Sequence, residues 1–266
     1  ITCLTTNLHH KHTKKKYIYK KIGSVAPQLL TCYFIAENGM PEISAEGHNG
    51  SYIRKWVVMS IMFLWATRLT FNWARSWSGF DHEDWRYVEV FEKDTKNKIQ
   101  YWIESFAGIH VFPTLIVYFA LIPAYYILHD DDGYIANDTL NIYDFIGFLV
   151  GFGAVLLQGV ADNQLYHFRN TNTIKGKCLT TGAWSWCRHP NYGGEILHWT
   201  SYVILSCGAF GFANGIKLAG GCVSIICLFV FASVPMIEKR HGERRNQKEW
   251  KAYQKRTWSS LIPMPF

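Results

Sequence analysis

Five apolar runs dominate this sequence: 56–73 (WVVMSIMFLWATRLTFNW), 105–128 (SFAGIHVFPTLIVYFALIPAYYIL), 142–161 (IYDFIGFLVGFGAVLLQGVA), 194–213 and 215–236. A helix crosses the hydrocarbon of a bilayer with about 20 mainly apolar residues, which matches each run. Five buried helices of a soluble core would need polar faces, and these runs lack them. In lipid every backbone polar group must be satisfied within the segment, so the runs predict helices. The fold class expected is therefore all-α: a multi-pass transmembrane helical bundle of five spans. Pro113 and Pro123 inside the second run are compatible with this where neighbours re-satisfy the freed backbone groups. A shorter stretch, 24–36 (SVAPQLLTCYFIA), is a candidate sixth crossing or a re-entrant segment. The chain divides at this level into a polar preface, 1–55, and a transmembrane domain, 56–266, ending in a basic tail.

Charge orients the bundle. The 129–141 connection (HDDDGYIANDTLN) holds four aspartates and no Lys or Arg. The 162–193 connection carries Arg169, Lys175, Lys177 and Arg188, and the tail carries eight basic residues between Lys239 and Arg256. Alternation through five spans puts the 74–104 loop, the 162–193 loop and the tail on one side. The positive-inside rule assigns that side to cytoplasm or matrix. This predicts an integral membrane protein of the endoplasmic reticulum or the mitochondrial inner membrane. The formal net charge of +7 is thus a topology effect, and nucleic acid is not an expected partner. Seven scattered cysteines form no disulfide framework and no CxxC pair. No metal site is expected.

Two polar stripes interrupt this apolar pattern. In "LQGVADNQLYHFRN", Gln158, Asp162 and Arg169 fall at i, i+4 and i+11, on one helix face. In "GAWSWCRHPNYGGEILHW", Asn191, Glu195, His198 and Tyr202 fall at i, i+4, i+7 and i+11. Ionisable groups at membrane depth are costly, and they face a bundle interior or watery cavity. Pro190 suits a first helical turn, and Arg188 and His189 stand just before it. A cation pair beside free helix N–H groups makes an anion site suited to phosphate. Arg68, within the first run, needs a partner; an anionic ligand or Asp162 would serve. Further cues are the cluster Asp81, Glu83, Asp84, Trp85, Arg86 and Tyr87, and the basic amphipathic tail. That tail could meet lipid headgroups or close over an anionic cofactor. "GFGAVLLQG" lies in an apolar span with no preceding strand, so it is not a dinucleotide loop.

"ADNQLYHFR…KGKCLTTGAWSWCRHPNYGGEILHW", with "HEDWRY" upstream and "EK…RR…Y…RT…IPMPF" downstream, resembles the membrane-embedded steroid 5-alpha-reductase superfamily, closest to its uncharacterised bacterial and protist branch. The resemblance covers about 60–266. It implies a helical bundle that uses NADPH to reduce a double bond conjugated to a carbonyl in a steroid or lipid. By the resemblance Arg68, Gln158, Asp162, Arg169, Asn191 and Glu195 line the cofactor, joined by Arg188, His189, Tyr192 and the tail residue Arg245. Arg68 stands where the family has a phosphate-facing arginine, and Gln158 where it often has Asn. Tail residues Arg244 and Tyr253 belong with the same group. The family's early-helix Glu and Tyr, which hold the substrate carbonyl, have no clear counterpart here. Glu37, Glu42, Glu46 and Tyr52 are nearby in sequence only, and no catalytic residue is assigned.

Three functions follow as expectations. The first is an NADPH-dependent membrane reductase, with membrane lipids and a lipid or steroid substrate as partners. The second is a reductase-like accessory subunit of a large membrane complex, such as a respiratory assembly, with other subunits as partners. The third is an S-adenosylmethionine-dependent membrane methyltransferase, which shares an RHPxYxG-like segment. The basic excess of "EKRHGERR" suits a phosphorylated cofactor better than a cationic sulfonium.

Overall fold

The computed structural model describes residues 49–77, 97–129, 137–257 and 260–261, with the single positions 29, 32, 33 and 36. The 24–36 segment as a whole, the Asp81–Tyr87 cluster and the four early candidates except Tyr52 lie outside the described residues. Within them the chain is helical and has no strand.

Helix α1, Gly50–Arg75, carries the first apolar run and starts six residues ahead of it. The second run is not one helix. It passes through α2 (Lys98–Phe106), a π segment (Ala107–Val111) and α3 (Phe112–Ala120), then restarts as α4 (Ile122–Leu128). Pro113 and Pro123 occupy the first turns of α3 and α4, where a missing N–H costs least. The third run forms α5, Ile142–Thr171, which continues in one piece through the polar 162–171 stretch. A short turn, α6 (Ala183–Trp186), precedes α7 (Pro190–Phe210). The last run comprises α8 (Phe212–Gly215), a 3-10 turn, α9 (Gly220–Cys227), a π segment (Leu228–Ser233) and α10 (Val234–Arg244). Helix α11, Gln247–Arg256, ends the described body.

The two π segments share a cause. A proline ring clashes with the carbonyl four residues back and offers no N–H. Four residues before Pro113 and Pro235 fall inside the two wide turns, which relieve the clash without breaking the helix.

Two stretches, Ile142–Thr171 and Phe212–Arg244, are long and apolar enough to cross a membrane by length and composition. The first forms the centre of the packing with α7. The pair runs antiparallel: Gly147 lies against Leu205, and Gly194 against Gln158. Close approach needs glycine here, since a Cβ at Gly151 would sit 2.6 Å from Ile61 Cδ1 and 2.8 Å from Ser201 Oγ. Around this pair Val58, Ile61, Met62, Trp65, Ile127, Trp199, Tyr202 and Leu205 build the apolar core.

A buried ion pair pins one end of the bundle. Arg54, with no solvent exposure, donates through Nε to Asp144 Oδ1 at 2.6 Å and through Nη2 to Oδ2 at 2.9 Å. It also donates to the carbonyls of Asn137 and Thr139. Asp144 at the same time closes the capping box of α5 with Asn141.

Candidate functional site

The site begins eighteen residues along α5 from Asp144, about 27 Å by helical rise. Three helices contribute one polar group each at this level. Arg68 of α1 donates through Nη1 to Asp162 Oδ2 of α5 at 2.6 Å, and through Nη2 to Glu195 Oε2 of α7 at 3.5 Å. Trp65, one turn before Arg68, shares its indole N–H between both Glu195 oxygens at 3.1 and 3.0 Å. Trp199 donates to Oε1 at 3.2 Å. Glu195 is thus held by two indoles and a guanidinium.

An aromatic layer braces these donors. The His198 ring stacks on Trp65 with centroids 4.9 Å apart and planes 10° apart. Its Nε2 lies 3.4 Å from the Tyr202 hydroxyl. Both side chains are fully buried. The helical spacing that put Glu195, His198 and Tyr202 on one face therefore delivers them to the same interior.

Gln158 lies one turn deeper on α5 than Asp162. It is fully buried, and neither side-chain atom has a hydrogen-bond partner among the described residues. Arg68 Nε and His198 Nδ1 are buried without a partner as well. A native fold normally satisfies such groups, so four orphaned atoms on three residues mark this region as a place for a polar ligand.

Outward along α5 from Asp162, a cavity of about 290 Å³ opens against the end of α1. Asn72, Arg75, Asp162, Tyr166 and Arg169 are among its walls. Arg75 donates to Asn72 and Asn163 and lies over the Tyr166 ring at 4.5 Å. Arg169 feels the like charges of Arg245 and Arg240 and the opposite charge of Asp162. The cavity walls therefore carry two guanidinium groups, together with Asp162, which is itself paired to Arg68.

Arg188 and His189 take a different place. Arg188 Nε donates to Glu238 Oε1 at 2.7 Å, and its Nη1 donates to the Thr257 carbonyl at 2.5 Å. His189 Nε2 lies 3.3 Å from the same Glu238 oxygen, and its backbone N–H donates to Ser260 O at 2.8 Å. The two residues join α7, α10 and the tail. Tyr192 stacks on His189 at 5.6 Å and meets Phe229 at 4.8 Å. Asn191 is half-buried in the first turn of α7. So Arg68, Asp162 and Glu195 form one hydrogen-bonded layer with Gln158 one turn away on α5, Asp162 and Arg169 line the cavity, and Arg188, His189 and Tyr192 gather at the α7–α10 junction.

The tail folds back onto the 172–187 connection. Tyr253 donates to the carbonyls of Trp184 at 2.5 Å and Cys187 at 3.3 Å. Arg256 holds Thr180 O at 2.9 Å, and Arg245 holds the Lys177 carbonyl. Gly176 has φ +82, and a Cβ there would sit 3.1 Å from Asn246 N. Glycine lets the loop take this left-handed turn and accept the Asn246 N–H at 3.0 Å. Burial pushes the Cys187 thiol up to about 11 and raises the Tyr253 hydroxyl as well. These groups are neutral structural parts.

The sequence reading missed Arg54, Asp144, Trp65 and Trp199. Asp144 was legible as an acid inside an apolar run, and Arg54 was obscured by its position among polar residues. Trp65 and Trp199 looked like ordinary apolar positions, and only the fold turns their N–H groups toward Glu195. Among the described residues no group of three or more His, Cys, Asp or Glu side chains could hold a metal ion.

Comparison with known proteins places these features in a family. Residues 11–257 match the family described as "Protein of unknown function (DUF1295)". The chain is 25% identical over 178 residues to "Uncharacterized protein C594.04c" of Schizosaccharomyces pombe, covering 59% of this chain and 50% of that protein. The chain thus spans about half the length of the curated relative it matches. No solved structure matches it significantly. With the family match extending over α1 to α11 and both polar layers, this chain belongs to the DUF1295 family.

Proposed function

We propose that this protein is a membrane-embedded reductase that uses NADPH to reduce a carbonyl-conjugated double bond in a steroid or other lipid. The observation that carries the reading is the cavity beside α5. Arg75, Arg169 and Asp162 line it, and Asp162 connects it to the Arg68–Asp162–Glu195 layer. The orphaned Gln158 lies one turn beyond. The matched family includes steroid 5-alpha-reductase-like proteins, which supports the same reading. In this proposal the five apolar runs cross the bilayer, with the site toward the basic side.

The residues fit the cofactor class by chemistry. Arg75 and Arg169 suit phosphate, since guanidinium groups bind it through paired N–H donors. Asp162 suits ribose hydroxyls, and Gln158 offers one donor pair and one acceptor to a carboxamide. A cavity of about 290 Å³ is near the lower bound of ligand pockets, about 300 Å³, so it takes the phosphate–ribose portion. The bound cofactor would supply a hydride. The protein would supply orientation, a fixed field and exclusion of water.

The test is mass spectrometry of nucleotide released from gently solubilised protein, paired with calorimetry of NADPH binding. Retained NADPH, weakened about tenfold or more by Asp162→Ala and by Asn191→Ala, is the expected result. Unaltered affinity in both variants would remove the site assignment. Copurification of S-adenosylmethionine instead would replace the reductase with a methyltransferase. A nucleotide-free protein tightly held by other subunits would favour the accessory role.

A further inference from the structure

We infer that the exposed lysine row of α11 is a docking surface for the anionic lipid headgroups of the leaflet on the basic side of the bundle. This rests on the membrane-spanning reading proposed above, and it is independent of the cofactor.

Connectivity sets the height of this helix. The stretch Phe212–Arg244 is long and apolar enough to cross a membrane, and Glu238 is the first charged residue after its last apolar run. Arg188 donates through Nε to Glu238 Oε1 and through Nη1 to the Thr257 carbonyl. The C-terminal end of α11 is thereby held level with Glu238, where the run leaves its apolar section. Only Arg245 and Asn246 separate α10 from α11, so α11 folds back along the end of α10 toward that level. Lys255 lies nearest to it, with Lys251 and Lys248 about one and two turns further out.

Helical periodicity gives α11 two opposite faces. Trp250 and Tyr253 are buried and fasten it to the 172–187 connection. Lys248, Lys251 and Lys255, at i, i+3 and i+7, fall on the opposite side and are exposed. None of the three ammonium groups has a hydrogen-bond or ion-pair partner among the described residues. Glu249, the one acid of this helix, is turned to the connection, where its Oε2 accepts the Cys178 N–H at 3.4 Å. Arg245 and Arg256 are engaged by the carbonyls of Lys177 and Thr180. The fold therefore uses the tail's arginines internally and leaves the lysine row as an uncompensated positive surface.

A second feature of the same surface favours lipid over nucleic acid or an acidic protein. On the connection that α11 clamps, Trp186 is 47% exposed and Ile174 58% exposed. Tyr253 holds the carbonyls of Trp184 and Cys187, on either side of Trp186, so this indole stands beside α11. Tryptophan is enriched at headgroup level, where its apolar ring and its N–H are both satisfied. Anionic lipids attract juxtamembrane lysines, and the attraction fades within a Debye length, about 8 Å at physiological salt. Lys255 should therefore contribute most to the docking and Lys248 least.

The experiment incorporates the full chain into vesicles of phosphatidylcholine and phosphatidylserine in equal parts, extracts it in mild detergent, and measures by mass spectrometry the ratio of the two lipids that stays bound. The expected result is enrichment of phosphatidylserine that weakens with added salt. The combined variant Lys248→Gln, Lys251→Gln and Lys255→Gln should lower that enrichment about threefold or more. Lys255→Gln alone should act more strongly than Lys248→Gln alone, and the reverse order would overturn the height assigned to α11. Lys217→Gln, an exposed position at the other end of the last run, should change nothing. A parent without lipid preference, or an enrichment equal in the parent and the combined variant, would overturn the docking surface. Nucleic acid or an acidic protein retained by the lysine row in place of phosphatidylserine would overturn it too. These outcomes leave NADPH binding untouched. A chain that fails to enter the vesicles, judged by flotation after an alkaline wash, would instead overturn the membrane-spanning reading on which the docking surface rests.

Discussion

At the scale of single residues, the site depends on contacts that spacing alone cannot specify. Trp65 holds both Glu195 oxygens through one indole N–H. Trp65→Phe keeps the aromatic stack and removes that donor, so it should cost about 1–3 kcal/mol of stability, seen as a lower thermal midpoint in detergent. A Trp65→Phe protein as stable as the parent would show that Trp199 and Arg68 suffice. Gly151 is the packing counterpart. Its missing Cβ leaves room for Ile61 and Ser201, so Gly151→Val should destabilise by about 1–3 kcal/mol through overpacking. The i, i+4 and i, i+7 spacings in α5 and α7 were readable from sequence because one helix period governs them. The cross-helix partners were not, since Arg68 and Glu195 are 127 positions apart.

At the scale of elements, the basic tail is a clamp. Helix α11 fixes the 172–187 connection through Tyr253, Arg256 and Asn246. Tyr253→Phe removes the donor to Trp184 and Cys187 and should cost about 1 kcal/mol, read as faster protease cleavage at the α10–α11 junction. The clamp should also loosen in alkali. The Cys187 thiol rises from 9.0 to about 11 on folding, and Tyr253 is raised too. The folded state therefore holds these protons more tightly than the unfolded state. That stability is complete below pH 9 and declines as pH climbs toward 11. Protease sensitivity of the tail should increase across that window, and a flat profile would exclude these groups as its cause. Sequence showed the tail as basic and amphipathic. It could not show that backbone carbonyls of the 172–187 connection receive Arg245 and Arg256.

At the scale of the whole molecule, two polar layers are tied to one antiparallel pair, α5 and α7. The Arg54–Asp144 layer lies at one end and the Arg68–Asp162–Glu195 layer toward the other. Arg54→Ala would strand a buried carboxylate, with a cost of about 3–5 kcal/mol. A melt of the variant checks this, and a shift below 1 kcal/mol would mean that water reaches Asp144. Distance makes the two layers separable: this variant should lower stability while leaving the NADPH affinity of the folded protein unchanged.

The sequence alone pointed to helix for the described residues, since apolar runs of this length exceed that of ordinary strands. It also determined which faces of α5 and α7 are polar, because helical periodicity is local. Tertiary structure decided the rest. It broke the 105–128 run at Leu121 between two proline-started helices. It placed Arg188 and His189 against Glu238, and it set one guanidinium between two carboxylates. Those outcomes depend on which helices meet and at what rotation, and that is fixed by packing between residues far apart in the chain.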